Sequence, residues 1–350
     1  MKEFLKKKNV IFSVKRYGID ALGAMAMGLF ASLLIGTIIG TLGERLGIEV
    51  LSTIGTYAKS ATGPAMAISI GYALQSPPLV LFSLATVGIA ANELGGAGGP
   101  LAVLLITIIA AELGKIVSKE TKIDIIVTPA VTICVGVLLS LGCAPVIGKA
   151  ASAVGTAIMW ATELQPFLMG ILVSVIVGIA LTLPISSAAI CAALSLTGLA
   201  GGAAVAGCCA QMVGFAVMSY RENKVGGLVA QGIGTSMLQM GNIVKNPKIW
   251  LPPIIASAIT GPIATCIFKL HMDGPAIASG MGTCGLVGQI GVYTGWVNSV
   301  AEGAKASIGA MDWIGLILIS FVLPAIITWA ISLLFRKQGW IKQNDLKLDL

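Results

Sequence analysis

Charge is what this chain has least of: 11% of its 350 residues are charged against 56% hydrophobic, and the mean hydropathy is +0.95. A soluble globular domain carries about 25% charged residues, so this composition excludes one. Histidine occurs once, at His271, and none of the seven cysteines (Cys134, Cys143, Cys191, Cys208, Cys209, Cys266, Cys284) forms a C-x-x-C pair. That removes the usual thiolate and imidazole metal sets, and the cysteines read as small buried hydrophobes. There is no G-x-x-x-x-G-K-[ST] loop for a nucleotide-driven pump and no evenly spaced arginine series for voltage sensing. No soluble segment is large enough to carry a phosphorylatable His or Cys, and no basic helix-turn-helix stretch lies outside the apolar runs. These absences leave a chain with no catalytic residues, no metal, no cofactor and no direct nucleic-acid partner.

What is present is a series of apolar stretches, each near the roughly 20 residues that cross a bilayer core about 30 Å thick. The fold class is all-α: a polytopic integral membrane protein with about ten transmembrane helices and one or two re-entrant segments, near 226–245 and 272–290. The net charge of +7 is concentrated first in Lys2, Lys6, Lys7, Lys8, Lys15 and Arg16, directly ahead of the first apolar run. This is a positive-inside anchor on an uncleaved first span. Basic RKQGW after Leu316–Phe335 matches it in sign, so both termini are expected in the cytoplasm of a cell (inner) membrane, with an even number of crossings.

Several runs are broken. Pro77-Pro78 ends one helix, ANELGGAGGP is unlike a straight helix, Pro184 interrupts TLPISSAAI, and Gly148–Pro166 reads as an amphipathic segment separate from the span Ile123–Ile147. Broken backbone is tolerated at membrane depth only where protein or a water-filled cavity satisfies it. The 44 glycines, many beside Ala or Ser, permit close helix approach.

Polar groups at membrane depth are functional candidates by default, and they gather in the second half: Ser186, Ser187, Gln239, Asn242, His271, Asp273, Thr283 and Gln289. Amides, hydroxyls and one imidazole suit an uncharged polyol or sugar, whose hydroxyls both donate and accept. Each also has a plainer reading. Gln239 and Asn242 cap broken helix ends, His271 snorkels to the interface, and Ser186 and Ser187 bond back to their own helix. Glu93 and Glu112 are either ion sites or structural partners of a neighbour such as Lys115. GMGTCG, at 280–285, has the spacing of a dinucleotide fingerprint with Glu302 downstream, but no strand precedes it and no sheet surrounds it, so its glycines are read as bending and close-packing elements.

Three stretches carry a family resemblance: LPISSAAICAAL, GTSMLQMGNIVKNPKIWLPPIIASAITGP and LHMDGPAIASG. They resemble the membrane subunit IIC of bacterial phosphotransferase-system sugar permeases, fructose branch. In length and texture the chain resembles the stand-alone IIC-like proteins of the perfringolysin O regulator type. Where that family has a sugar-gripping Thr-Glu pair, this chain has Leu238-Gln239, and Met272-Asp273 replace a double glycine after the histidine. The resemblance implies a basic cytoplasmic segment over 1–20, a scaffold half over 21–150, a substrate half with re-entrant segments over 151–335 and a cytoplasmic tail over 336–350. It further implies alternating-access transport of a small polar solute, separate IIA and IIB phosphocarrier partners and a homodimer. A membrane-embedded solute sensor that regulates gene expression and an ion- or proton-coupled carrier are the alternative functions.

Overall fold

The computed structural model describes residues 2–303 and 305–348. Among these no strand occurs, only one isolated antiparallel bridge, Gly198 to Met272. Among the described residues six helices are long and apolar enough to cross a membrane: Arg16–Glu44, Pro78–Val117, Asp124–Thr162, Gly198–Met218, Pro247–Ile267 and Ala310–Lys337. Pro166–Thr182 is a shorter apolar helix. These six do not by themselves confirm the expected ten crossings, because Pro78–Val117 bends back on itself and apolar helices such as Pro166–Thr182 are shorter. The chain divides into two compact units, Met1–Ala151 and Ser152–Leu350.

In the first unit, Pro78–Val117 is not one rod. At Gly96 the backbone takes φ +50°, and the halves Pro78–Gly95 and Gly99–Val117 fold back antiparallel, so that Gly114 of the second lies against Val80 of the first. Glycine is required at the bend because a side chain disfavours positive φ, and Pro100 suits the first turn beyond it. The helix Asp124–Thr162 runs through Pro129 and Pro145 without a break, so Gly148–Pro166 is no separate segment. Proline has no N–H, so each removes one bond of the helix and leaves the carbonyl four residues earlier without its regular donor.

The second unit is built around Gly198–Met218. Its most apolar stretch is 94% buried; a helix apolar all round belongs inside a bundle. At 1.5 Å per residue its 21 residues span about 30 Å, the thickness of a bilayer core. Pro166–Thr182 and Leu251–Pro262 pack on it at backbone contact distance. A methyl on Gly207 would collide with the Ser174 carbonyl, and one on Gly261 with Gly170 and Ser174. Ser174 uses this closeness to donate to the Ser257 carbonyl at 2.7 Å.

Two broken segments complete the unit, one from each end of this helix. The first leaves Ser219 as Tyr220–Val229, turns through the π-helical Ala230–Gly234 and the 3₁₀ turn Ser236–Gln239, and returns as Met240–Lys245. Asn246, which follows, donates to the Trp340 carbonyl at 2.9 Å. The second starts at the other end, where Met272 pairs with Gly198. It descends through Ala276–Gly280 to Thr283–Gly285 and climbs back as the helix Val287–Ala301, whose Gly295 lies against Asp273. Each therefore enters and leaves at one end of Gly198–Met218, overlapping the stretches expected to be re-entrant, 226–245 and 272–290. Their turns, Ala230–Gly234 and Cys284–Leu286, pack against each other.

Candidate functional site

The tip of the second hairpin lies beside residues 208–212, about 15–20 Å along the central helix from Gly198 and so near its middle, and the tip of the first packs on it from the Met218 end, with Gly232 against Ala216. Gly282 fixes the second tip. Its φ is +53°, and a Cβ there would lie 2.6 Å from the Cβ of Cys208, so only glycine combines the turn with the close approach. Thr283 donates to the Met212 sulfur at 3.5 Å. The helix Val287–Ala301 begins at this depth with no side chain capping its first turn, which directs the positive end of its dipole toward the tip.

Gln289 sits in that first turn. Its amide nitrogen donates to Ser320 Oγ at 2.9 Å and to Cys209 Sγ at 3.2 Å, while its carbonyl oxygen is buried with no partner. Flipping the amide does not help, because Ser320 and Cys209 would then serve the oxygen and leave the nitrogen bare. A buried acceptor of this kind costs about 1–3 kcal/mol and calls for a specific explanation.

The first tip reaches a second polar group. Thr182 Oγ1 lies 2.8 Å from Ser236 Oγ, and it donates to Gln211 Oε1 at 3.3 Å. Gln211 Oε1 also accepts from Trp250 Nε1 at 2.9 Å, and its Nε2 donates to Ser257 Oγ at 3.3 Å. Four elements are thus joined by one uncharged side chain in an apolar helix. Gln211, Thr182, Ser236 and Ser257 are all fully buried. Reading the sequence by motif did not select Gln211; the signal was a lone amide inside a 21-residue apolar run.

The eight residues expected to bind solute do not form one group. Thr283 and Gln289 lie at the central tips. Ser187 donates to the Gly280 carbonyl at 2.7 Å, tying the short helix Ser187–Ala193 to the second hairpin, and Ser186 caps that helix by accepting from the Ala189 amide at 3.1 Å. Gln239 and Asn242 stand at the Met218 end, bonded to the main chain of Leu346 and Lys347. His271 and Asp273 stand at the opposite end and line a cavity of about 330 Å³ with Phe268, Trp296, Lys305 and Asp312. There Lys305 pairs with Asp312 at 2.6 Å, and its ammonium sits 5.6 Å from the Trp296 ring centre.

In the first unit Glu112 pairs with Lys115 at 2.8 Å. Lys115 also donates to the carbonyls of Asn9 (3.0 Å) and Leu74 (3.1 Å), and Arg16 donates to Asn9 Oδ1 at 3.0 Å and to the same Leu74 carbonyl. The pair clasps three chain segments together. Glu93 is exposed. Among the described residues no group of three or more His, Cys, Asp or Glu side chains is arranged to hold a metal ion.

An all-helical chain whose apolar helices match the bilayer, with two opposed hairpins meeting near mid-depth, defines a polytopic membrane protein with the broken-helix construction found in permeases. The family described as Phosphotransferase system, EIIC matches residues 19–348, and the chain belongs to that family. It is thus a membrane subunit of the phosphotransferase-system permease type, a class whose substrates are sugars and whose partners are IIA and IIB phosphocarriers. No curated protein and no solved structure matches the chain significantly.

Proposed function

We propose that the chain binds an uncharged sugar or polyol between the two hairpin tips and carries it across a bacterial plasma membrane by alternating access. The observation that carries this reading is the unpartnered carbonyl of Gln289, held in the first turn of a helix whose start no side chain caps. Gln289 Oε1 would accept from one solute hydroxyl, while Thr283 and the helix-end amides would donate to another. The tips are closed over each other in this conformation, so solute would enter as one hairpin swings from the other. In this reading residues 21–150 serve as scaffold and 151–335 as the substrate half, flanked by cytoplasmic 1–20 and 336–350, in a homodimer.

Charge supports the orientation. The Met218 end carries Arg221, Lys224, Lys245, Lys248, Arg336 and Lys337 beside Glu222 and Asp345, whereas the Gly198 end carries Lys269 and Lys305 beside Asp273 and Asp312. The positive-inside rule then puts the Met218 end in the cytoplasm. The cavity at His271 and Asp273 becomes an outer vestibule.

Binding of a panel of sugars and polyols to purified protein in nanodiscs tests the site, and proteoliposome uptake with and without phosphocarriers tests coupling. Gln289→Leu is expected to weaken binding about tenfold, the equivalent of one hydrogen bond of about 1.4 kcal/mol. A bound sugar whose affinity is indifferent to both Gln289→Leu and Thr283→Val would overturn this placement.

A further inference from the structure

The carboxamides at the Met218 end form a relay that ends on the chain's own last described segment. Gln231 donates to Ser219 Oγ and to the Gly227 carbonyl, each at 2.9 Å. Gln239 donates to Gln231 Oε1 at 2.9 Å, and Asn242 donates to Gln239 Oε1 at 2.8 Å. Every remaining donor of this relay goes to residues 346–347: Gln239 to the Leu346 carbonyl at 3.0 Å and Asn242 to the Lys347 carbonyl at 2.8 Å. Asn223 holds the same stretch from both sides, donating to the Leu346 carbonyl at 2.7 Å and accepting from the Leu348 amide at 2.8 Å.

The segment itself is shaped as a hook. Asp345 accepts from the Lys342 amide at 2.8 Å, and Asn344 takes the left-handed conformation that asparagine tolerates, with φ +70°. Leu346 and Ile341 are its buried apolar anchors, at 0% and 2% exposure. At its root, Asn246 donates to the Trp340 carbonyl and to Asp345 Oδ2, and Lys248 lies over the Trp340 ring. Nearly all contacts to the relay are neutral amide bonds to main-chain carbonyls, which water replaces at little net cost. A joint without buried charge is one that can open.

We propose that Asn223, Gln231, Gln239 and Asn242 form a docking groove for the hook 340–348, which acts as an autoinhibitory latch that holds the first hairpin, 220–246, against movement. The hook grips that hairpin alone: none of its bonds reaches the second hairpin among the described residues. Release of the hook therefore frees one tip of the central pair and leaves the other in place.

Hydrogen–deuterium exchange in nanodiscs tests this without any solute, so the outcome is independent of whether the protein carries a sugar. Three proteins are compared: the full chain, a form lacking 339–350, and the full chain with Leu346→Asp. In both altered forms, exchange across 226–245 is expected to rise at least about tenfold, while 276–290 keeps its protection. A synthetic peptide of residues 339–350 is expected to restore protection to the shortened form. It should not bind the full chain, where the tethered hook competes at about millimolar effective concentration. Unchanged exchange in Leu346→Asp, an equal rise in both hairpins, or a peptide that restores nothing would each overturn the latch.

Discussion

Replacing Gln211 with leucine tests whether the buried amide is the joint of the central core. Leucine fits the space but removes three hydrogen bonds: from Thr182 Oγ1, from Trp250 Nε1 and to Ser257 Oγ. Two of the three partners have somewhere else to turn. Thr182 keeps Ser236 at 2.8 Å, and Ser257 keeps the Pro253 carbonyl at 2.9 Å. The Trp250 indole has no other acceptor among the described residues and becomes an orphan donor. Side-chain hydrogen bonds inside membrane proteins average about 0.6 kcal/mol, so the three bonds contribute about 2 kcal/mol together. The orphaned indole adds about 1–3 kcal/mol, giving a destabilisation of roughly 3–5 kcal/mol. The decisive comparison is with Trp250→Phe, which removes the donor. In a double-mutant cycle measured by equilibrium unfolding in mixed micelles, Gln211→Leu with Trp250→Phe should cost at least about 1 kcal/mol less than the sum of the singles. Additivity within about 0.5 kcal/mol would mean that the Trp250–Gln211 bond does not hold the core, and the reasoning would fail.

Glu112→Gln leaves the Lys115 ammonium buried with carbonyls but no counter-charge, and should destabilise the protein by about 3–5 kcal/mol in the same assay; Glu93→Gln, at an exposed site, should change stability by less than about 0.5 kcal/mol. An ion-coupling role for Glu112 would instead leave the variant stable and abolish dependence on the pH gradient. Gly282→Ala combines positive φ with a collision against Cys208, and should lower stability by about 2–4 kcal/mol. Its damage should be confined to the second hairpin, seen as faster exchange over 276–290 with 226–245 unchanged.

The class of fold was open to reading because bilayer physics constrains it tightly: composition, run length and basic flanks determine a polytopic helical protein with few alternatives. The hairpins were legible because 226–245 and 272–290 are glycine-rich and carry polar side chains among their apolar residues, which suits backbone that turns back better than a straight span. The number of crossings was less so. A run such as Asp124–Thr162 holds two prolines and still forms one helix, because whether a proline breaks a helix is decided by what packs against the freed carbonyl, and hydropathy does not record that.

The partners of the amides were the least legible part. Thr283, Gln289, Gln239 and Asn242 are all uncharged side chains that both donate and accept, all were marked as candidates, and the sequence places each in a broken stretch. Only three-dimensional position separates them. The first two stand where two tips meet near mid-depth, while the other two face a segment more than a hundred residues later in the chain. An amide needs both donor and acceptor satisfied, so its role follows from which of its two ends is left over. At Gln239 neither end is left over, since the hook takes the last donor. At Gln289 the carbonyl remains, and that single unsatisfied oxygen argues more strongly for a solute than the presence of all eight polar residues together.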